Sequence, residues 1–222
     1  MSFIRALIVL HRVYRHRGPR TRAHVLIRFL TCPFLRVLRA VPAGARVLDI
    51  GAGHGLFARL VAARACPERS RRGAKNVVAV EPDTRKVQPV DGVAFVMGFD
   101  DVVRGRFDAV VLIDVLYKIP IDQWDALLAR CAERLAPGGT LVIKEHDPTA
   151  RIKHRWNRAQ ERLASKLGLT LGQSFSYETP AAFMARLERA GFAEARAKRI
   201  DFGYPHPHVL FTARRAGTSS PA

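Results

Sequence analysis

The segment at residues 45–55, ARVLDIGAGHG, constrains the fold of this chain more than any other. Its first half has the apolar pattern of a buried strand, glycines follow at positions 51, 53 and 55, and a helical pattern covers about 55–65. Glycine permits a tight turn and lets the backbone approach a ligand without a clashing Cβ. A dinucleotide-binding frame would need a small residue at Leu56, which fits it poorly. The order of these elements predicts an α/β unit with a ligand at the turn.

Strand patterns and helical patterns alternate over the next hundred residues. Strands are predicted at 77–80, 93–97, 109–113 and 140–144, with a helix at about 122–135, and a later helix at about 180–190 precedes strands at 193–202 and 207–214. Such alternation predicts an α/β fold with a doubly wound, mostly parallel sheet of about seven strands. The short link between the last two strands predicts that the final strand is antiparallel.

We expect one domain with additions at both ends of its core. Residues 1–44 form a predicted N-terminal helical cap, 45–147 the core, 148–180 a helical insert or lid after strand five, 181–215 a helix and strand pair, and 216–222 a tail. In the cap, the helical pattern of residues 3–14 places six residues near one face: Phe3, Ile4, Leu7, Ile8, His11 and Tyr14. A second helical stretch is expected at about 22–40.

The charge of the chain is unevenly distributed. The formal net charge is +18, with ten arginines and no acid in residues 1–48, a balance of −4 in residues 77–147 and +8 in residues 148–222. This distribution favours an anionic acceptor or surface, either RNA or lipid, that meets the two ends.

The composition excludes other classes of protein. The 48% hydrophobic content excludes a disordered chain, and three isolated cysteines argue against a disulfide framework or zinc site. The apolar run at 6–10 is short for a signal peptide, which predicts a cytoplasmic protein.

At the glycine turn the chain resembles the class I S-adenosylmethionine (SAM)-dependent methyltransferases, a Rossmann-like family. Supporting segments are VVAVE at 77–81, MGFD at 97–100, FDAVVLIDVL at 107–116 and APGGTLV at 136–142. The resemblance implies that SAM is the cofactor, that the acid of the turn lies near its methionine moiety, and that the acid after strand two accepts from its ribose hydroxyls. The cofactor-binding residues carried over are Asp49, Gly51, Ala52, Gly53, His54, Gly55, Glu81, Gly98, Phe99, Asp100 and Asp114.

Methyl transfer from a sulfonium needs an acceptor held in line with the methyl carbon, and needs a base only if the acceptor must lose a proton. Ligands in such sheets lie beyond the carboxyl ends of the strands. That location makes His146 the candidate base and Tyr117 a candidate for positioning the acceptor. Candidate acceptor-binding residues in the insert are His154, Trp156 and Tyr177. No metal site is predicted, because no cysteine lies near the two histidines at 206 and 208 and a strand-linking turn explains them.

The leading hypothesis is a SAM-dependent methyltransferase acting on an apolar or anionic small molecule, reached at an anionic membrane surface through the N-terminal helices. These helices could equally cap the cofactor pocket. The first alternative is an RNA methyltransferase, which the charge favours but no separate RNA-binding module supports. The second is a non-catalytic binding protein on the same fold. No obligate protein partner is evident, and an extra segment at 66–73 is interpreted as an incidental surface loop rather than a basic finger.

Overall fold

The computed structural model describes residues 1–64, 76–87, 93–98, 105–150 and 176–216. Within them one sheet contains seven strands, in the spatial order β3-β2-β1-β4-β5-β7-β6. The strands are β1 Val47–Ile50, β2 Val77–Val80, β3 Val93–Val96, β4 Phe107–Ile113, β5 Leu135–His146, β6 Phe192–Arg199 and β7 His208–Arg215. β7 is antiparallel to both of its neighbours, β5 and β6, and the other pairings are parallel. The predicted fold class is confirmed.

Helices cover both faces of this sheet. Those of the described residues are α1 Phe3–Tyr14, α2 Pro19–Thr31, α3 Phe34–Ala40, α4 Leu56–Arg64, α5 Trp124–Arg134 and α6 Pro180–Arg189. The first four pack on one face, in a core that includes Val47 and Val111, and the last two pack on the other, in a core that includes Leu48 and Val110. Alternate residues of a strand face opposite sides, so the continuous apolar runs of β1 and β4 supply both cores.

The N-terminal segment differs from the expected pair of helices. The stretch predicted at 22–40 is two helices, because α2 ends at Thr31 and α3 begins at Phe34. Pro33 explains the break, since a proline disfavours helical geometry in the residue before it. Cys32 accordingly has an extended backbone, with φ −115° and ψ 133°.

The predicted face of α1 is only in part the face that packs on the core. Tyr14 of that face is buried together with Ala6 and Leu10, whereas Ile4 is 71% exposed and Ile8 is 54% exposed. Periodicity could not separate the two faces, because apolar residues lie on both. Ile4 and Ile8 therefore remain at the surface, while Tyr14 packs on the core.

Strand β5 is longer than the predicted 140–144. Its first residue, Leu135, already pairs with Phe107, and a register irregularity between Phe107 and Ala109 absorbs the Pro137-Gly138-Gly139 segment. The predicted helix of the insert, the 66–73 segment and the tail from 217 onward lie outside the described residues. Among the described helices, none has the length and apolar character that crossing a bilayer requires.

Candidate active site

A cavity of about 430 Å³ lies at the carboxyl ends of β1, β2 and β4. The glycine turn and Glu81 form one side of it, and α2 and the segment after β4 form the other. Predicted residues in its wall are Gly51, Ala52, Gly53, His54, Glu81, Asp114 and Tyr117. The structure therefore brings together in one chamber most of the described residues that the sequence assigned to the cofactor.

The three glycines of the turn all have left-handed backbone geometry, but their surroundings differ. A Cβ at Gly51 would lie 2.6 Å from a methyl of Val115, and one at Gly55 would lie 2.4 Å from the ring of Phe95. A Cβ at Gly53, where φ is 57°, would meet nothing within 4 Å. Gly51 and Gly55 are thus required by packing inside the protein, whereas Gly53 leaves open space in the cavity wall that a ligand can fill.

Glu81 links the second strand to the glycine turn. Its Oε2 accepts from the Gly53 amide at 2.7 Å and its Oε1 accepts from the Asp83 amide at 3.0 Å. The side chain is buried, yet each carboxylate oxygen has a further lone pair. Glu81 can therefore fix the turn and accept from ligand hydroxyls at the same time.

Asp49 lies under the turn, on the β1 face that α4 covers. Its Oδ2 is buried with no hydrogen-bond partner among the described residues. Burial raises the pKa of this carboxyl to about 7, although a hydrogen bond from the Ala58 backbone opposes the shift. An unpartnered buried carboxylate oxygen is costly, so Asp49 fits a role in which a ligand amine or ordered water supplies the missing donor.

Helix α2 contributes two cavity residues that sequence reasoning missed, His24 and Arg28. His24 packs edge-on against His54 with ring centroids 5.5 Å apart, and burial together with His54 lowers its pKa to about 4. Arg28 is half-buried and lies at helical spacing from Val25, beside the buried Phe29 of α2. A charged residue at helical spacing within an apolar stripe was the signal that could have identified it.

Asp114 is the centre of a buried charge network. It has φ 57°, is 4% exposed, pairs with Arg28 at 3.0 Å and contacts the fully buried Lys144. Burial alone would raise the pKa of Asp114, but the charges on Lys144 and Arg28 hold it well below its usual range. This network joins α2 to the ends of β4 and β5, and two cations balance one permanent anion there.

The candidate base lies behind the large cavity and not in its wall. His146 lines a separate small cavity with Glu145, Tyr117 and Tyr177. Tyr117 lines both cavities, packs edge-on against His146 at 5.4 Å and stacks on Tyr177 at 6.0 Å. Burial, with Lys144 nearby, lowers the pKa of His146 well below its usual value, so the imidazole is neutral. The structure thus separates the predicted base from the cavity by the ring of Tyr117.

Glu145 is a buried acid for which the sequence predicted no role. Its Oε1 accepts from the amides of Val115 and Leu116 at 3.0 and 2.8 Å. Burial, together with Asp114, raises its pKa to about 8. The carboxyl is therefore protonated at neutral pH and holds the segment after β4 in place.

Ligand atoms of Asp114, Glu145 and His146 lie within 4.8 Å of one another, a spacing that a metal ion could bridge. A divalent cation there would stand beside Lys144 and Arg28, which already neutralise Asp114. Repulsion from these two charges disfavours a metal at this position. We therefore assign no metal to this group.

Several predicted residues cannot be placed in the chamber. Phe99, Asp100, His154 and Trp156 lie outside the described residues. Gly98 is described, and a Cβ on it would meet nothing within 4 Å. It is not among the residues that line the cavity.

The sheet order, the glycine turn and the acid after β2 together define a Rossmann-like protein with a ligand chamber at its topological switch point. The chain belongs to the methyltransferase domain family, whose model matches residues 14–195. The family resemblance predicted from the sequence is confirmed.

Among curated relatives, a ubiquinone biosynthesis O-methyltransferase of Xanthomonas axonopodis pv. citri is 34% identical over 116 residues, which cover 47% of this chain and 44% of the relative. A protein of the same description from Xanthomonas campestris pv. campestris is 30% identical over 137 residues, covering 57% of this chain and 52% of the relative. The chain thus spans about half the length of the curated relatives it matches.

Solved structures share the fold at low sequence identity. Human N-acetylserotonin methyltransferase in complex with SAM matches 94% of this chain and 59% of its own, with a TM-score of 0.60 and 20% identity. The magnesium protoporphyrin IX methyltransferase of Synechocystis PCC 6803 with bound SAH matches 95% of this chain and 94% of its own, with a TM-score of 0.60 and 15% identity.

Proposed function

We propose that this protein transfers a methyl group from SAM to a small-molecule acceptor. The observation that carries the proposal is the single chamber of about 430 Å³, whose wall contains the glycine turn and Glu81 on one side and α2 on the other. One side fits a nucleoside cofactor and the other leaves room for an acceptor. The names of the relatives, which refer to ubiquinone, N-acetylserotonin and magnesium protoporphyrin, support a small-molecule substrate.

The residues of the chamber fit SAM by charge and by hydrogen bonding. Bound SAM would supply an electrophilic methyl group on a sulfonium that leaves as a neutral thioether. Glu81 would accept from the ribose hydroxyls, and Gly53 would allow close approach of the backbone. Asp49, which is buried and does not itself line the chamber, would accept from the amino group directly or through an ordered water. His24 and His54 both have lowered pKa values, chiefly through burial. Neutral imidazoles in this wall avoid repulsion of the sulfonium charge.

The acceptor side of the chamber is basic. Arg28 and Lys118 line it, together with the apolar side chains of Val25 and Ile119. An acceptor with an apolar body and an anionic group, such as a carboxylate or phenolate, matches this combination. The cations would also favour the ionised form of an acidic hydroxyl, so the acceptor could lose its proton without a base in the chamber wall. Tyr117 would position the acceptor, and His146 would support Tyr117 from behind.

Calorimetric titration with SAM tests the cofactor assignment. Glu81→Ala and Asp49→Ala should each weaken binding about tenfold or more, because hydrogen bonds to charged groups contribute about 1.5–3 kcal/mol. Glu133→Ala, which removes an exposed acid from α5, is the matched control and should bind SAM as the unaltered protein does. Unchanged affinity in both site variants would refute the site assignment, and no binding of SAM at millimolar concentration would refute the function.

Transfer of a labelled methyl group to cell extracts tests the acceptor class. The label should enter the metabolite and lipid fraction and not the RNA fraction. Label found only in RNA would replace this proposal with the RNA methyltransferase alternative. SAM binding without transfer to any fraction would instead favour the non-catalytic binding protein.

We also propose that the acceptor is reached at a membrane surface. Exposed apolar side chains on α1 and α2 form one surface, defined here as the apolar patch: Phe3, Ile4, Ile8, Leu26, Ile27 and Leu30. The two helices are adjacent, because Phe3 stacks on Phe29 at 5.4 Å and Leu7 and Leu26 line one groove. Isolated exposed apolar residues are ordinary, but a contiguous group marks an interaction surface. The ten arginines and absence of acids in residues 1–48 suit an anionic interface.

Vesicle sedimentation tests the apolar patch. Ile4→Ser with Ile27→Ser should reduce binding to vesicles about tenfold, because each side chain loses apolar area that the bilayer would bury. Ile121→Ser removes an exposed isoleucine next to α5 and should leave binding unchanged. Equal binding by all three proteins would contradict the membrane assignment without affecting the SAM assignment.

A further inference from the structure

A second cleft, of about 480 Å³, lies between α3 and the outer edge of the sheet. Five of the residues that line it are basic, and these define the basic cleft: Arg36, Arg39, Arg196, Lys198 and Arg199. The remaining wall is formed by Ala40, Ile200, Leu210 and Thr212, so no acid lines the cleft. Neither the glycine turn nor the reaction chamber shares a residue with it.

Of the helices in the described residues, those on this face stop short of β6. Arg196 pairs with Thr212 and Lys198 pairs with Leu210, so these four residues lie on neighbouring positions of β6 and β7. α3 is only seven residues long, and the cleft residues Ile200 and Leu210 also join the core beneath the N-terminal helices. The part of the sheet face that the described helices leave open contributes these β6 and β7 residues to the cleft.

Few of the positive charges in the basic cleft are neutralised by neighbouring groups in the part of the protein that the structure describes. Arg199 pairs with Asp201 at 3.1 Å, and Arg36 donates to the Ile200 carbonyl at 2.8 Å. Charged side chains on an edge strand discourage pairing with another sheet, and this accounts for Arg196 and Lys198. It does not account for Arg36 and Arg39, which lie on a helix and face the same cleft.

The surroundings of the cleft are apolar and exposed. Phe202, in the turn after β6, is 87% exposed, and Tyr204 of the same turn lies 5.0 Å from the Arg36 guanidinium. Leu30 of the apolar patch precedes Arg36 by six residues, which limits their separation to about 20 Å. The exposed aliphatic side chains of the apolar patch offer nothing to a nucleic acid, whereas acyl chains would bury them. This combination favours lipid over RNA.

We propose that the basic cleft binds the phosphate of an anionic lipid headgroup while the apolar patch and Phe202 contact the acyl region. This inference rests on the membrane-surface part of the proposed function and adds to it a defined site for the headgroup. Arginine suits this role because its planar guanidinium donates two parallel hydrogen bonds to a phosphate. The cleft would then orient the protein on the bilayer.

The test compares two double variants of equal net charge. The cleft variant, Arg39→Ala with Arg196→Ala, removes two exposed cations of the basic cleft. The control variant, Arg130→Ala with Arg189→Ala, removes two cations from the helices on the opposite face of the sheet. Sedimentation uses vesicles of phosphatidylcholine alone and vesicles with added phosphatidylglycerol. The cleft variant should lose about 20-fold in binding to the phosphatidylglycerol vesicles, since each basic residue near an anionic surface contributes about fivefold. The control should lose less than threefold, and binding to phosphatidylcholine should be the same in all proteins.

Two further measurements distinguish the source of the phosphate. Glycerol phosphate is added at a concentration about 10-fold above that of the lipid. Vesicle binding should remain unchanged, because the site requires a headgroup in a bilayer. Full competition by glycerol phosphate would overturn the lipid proposal in favour of a free phosphate. A single-stranded oligoribonucleotide should bind the cleft variant and the control equally. An RNA affinity that falls only in the cleft variant, or equal losses of vesicle binding in both variants, would overturn the proposal. SAM titration of every variant should give unchanged affinity, which separates this outcome from failure of the proposed function.

Discussion

At the scale of single residues, the ion network around Asp114 determines how the site is held together. Sequence reasoning identified Asp114, Glu81 and the glycines because they follow strands, and strand ends are readable from local pattern. It missed the partner Arg28, which is 86 positions away from Asp114 and reaches it only through tertiary packing of α2. It placed His146 correctly at the end of β5 but could not show that the ring of Tyr117 separates it from the chamber.

Removal of the charge on Asp114 should be strongly destabilising. Asp114→Asn keeps a residue that tolerates positive φ but leaves Lys144 buried without its anion, which should lower the free energy of unfolding by about 3–5 kcal/mol. Asp114→Asn combined with Lys144→Met should recover a large part of that loss. Urea unfolding of the three proteins measures both effects. A double variant no more stable than Asp114→Asn would contradict the role of the pair.

Glu145 should make stability depend on pH. Its folded pKa of about 8 lies above the unfolded value, so between these two values the native state holds a proton that the unfolded state has lost. The contribution of the protonated carboxyl to the free energy of unfolding is therefore complete below the unfolded pKa and is lost as the pH rises through 8. Glu145→Gln keeps an oxygen for the two amides and cannot ionise. The free energy of unfolding of Glu145→Gln, measured relative to the unaltered protein, should therefore be about 2–4 kcal/mol greater at pH 9 than at pH 5. Urea unfolding at the two pH values provides the measurement, and an equal difference at both would be inconsistent with a raised pKa.

At the scale of elements, the strand patterns were readable because parallel strands buried on both faces are continuous apolar runs. β2 was predicted at its observed bounds, 77–80. The helical cap was harder, since Pro33 divided one predicted helix and α1 carries apolar residues on two faces. Which of two apolar faces is buried depends on the partner that packs against it, and a single sequence does not contain that information.

The glycine turn should separate packing from ligand approach. Gly55→Ala should cost about 1–3 kcal/mol of stability, because its Cβ would overlap Phe95, and Gly51→Ala should do the same through Val115. Gly53→Ala adds only left-handed backbone strain of about 1 kcal/mol, yet it should weaken SAM binding, since its methyl enters the open wall. Thermal unfolding and SAM titration of the three variants test the distinction. Equal SAM affinity of Gly53→Ala and the unaltered protein would show that the cofactor does not approach this position.

At the scale of the whole molecule, the net charge of +18 belongs mainly to the two ends and not to the core. The structure places Arg28 of the N-terminal cations in the chamber wall and brings Arg36 and Arg39 together with C-terminal cations in the basic cleft. Composition predicted an anionic partner, but only the fold shows that arginines distant in sequence line one cleft.

Self-repulsion of this charge should make the fold sensitive to salt. Raising the salt from 10 to 200 mM shortens the screening length from about 30 to below 10 Å, which should raise the midpoint of thermal unfolding by several degrees. Buried pairs such as Asp114 and Lys144 are screened much less, so their contribution should remain. Calorimetry at a series of salt concentrations measures the trend, and a midpoint that falls with salt would mean that surface ion pairs outweigh the repulsion.

The backbone geometry of Asp114 has a consequence for how this family can vary. Its left-handed conformation restricts the position to glycine, asparagine or aspartate without added strain, and of these only aspartate carries a negative charge. Two independent demands, one conformational and one electrostatic, therefore meet in a single side chain. Relatives that keep a lysine at position 144 should keep aspartate at 114, whereas those that have an apolar residue at 144 are free to carry asparagine or glycine. Covariation of these two positions is thus expected from physical chemistry alone.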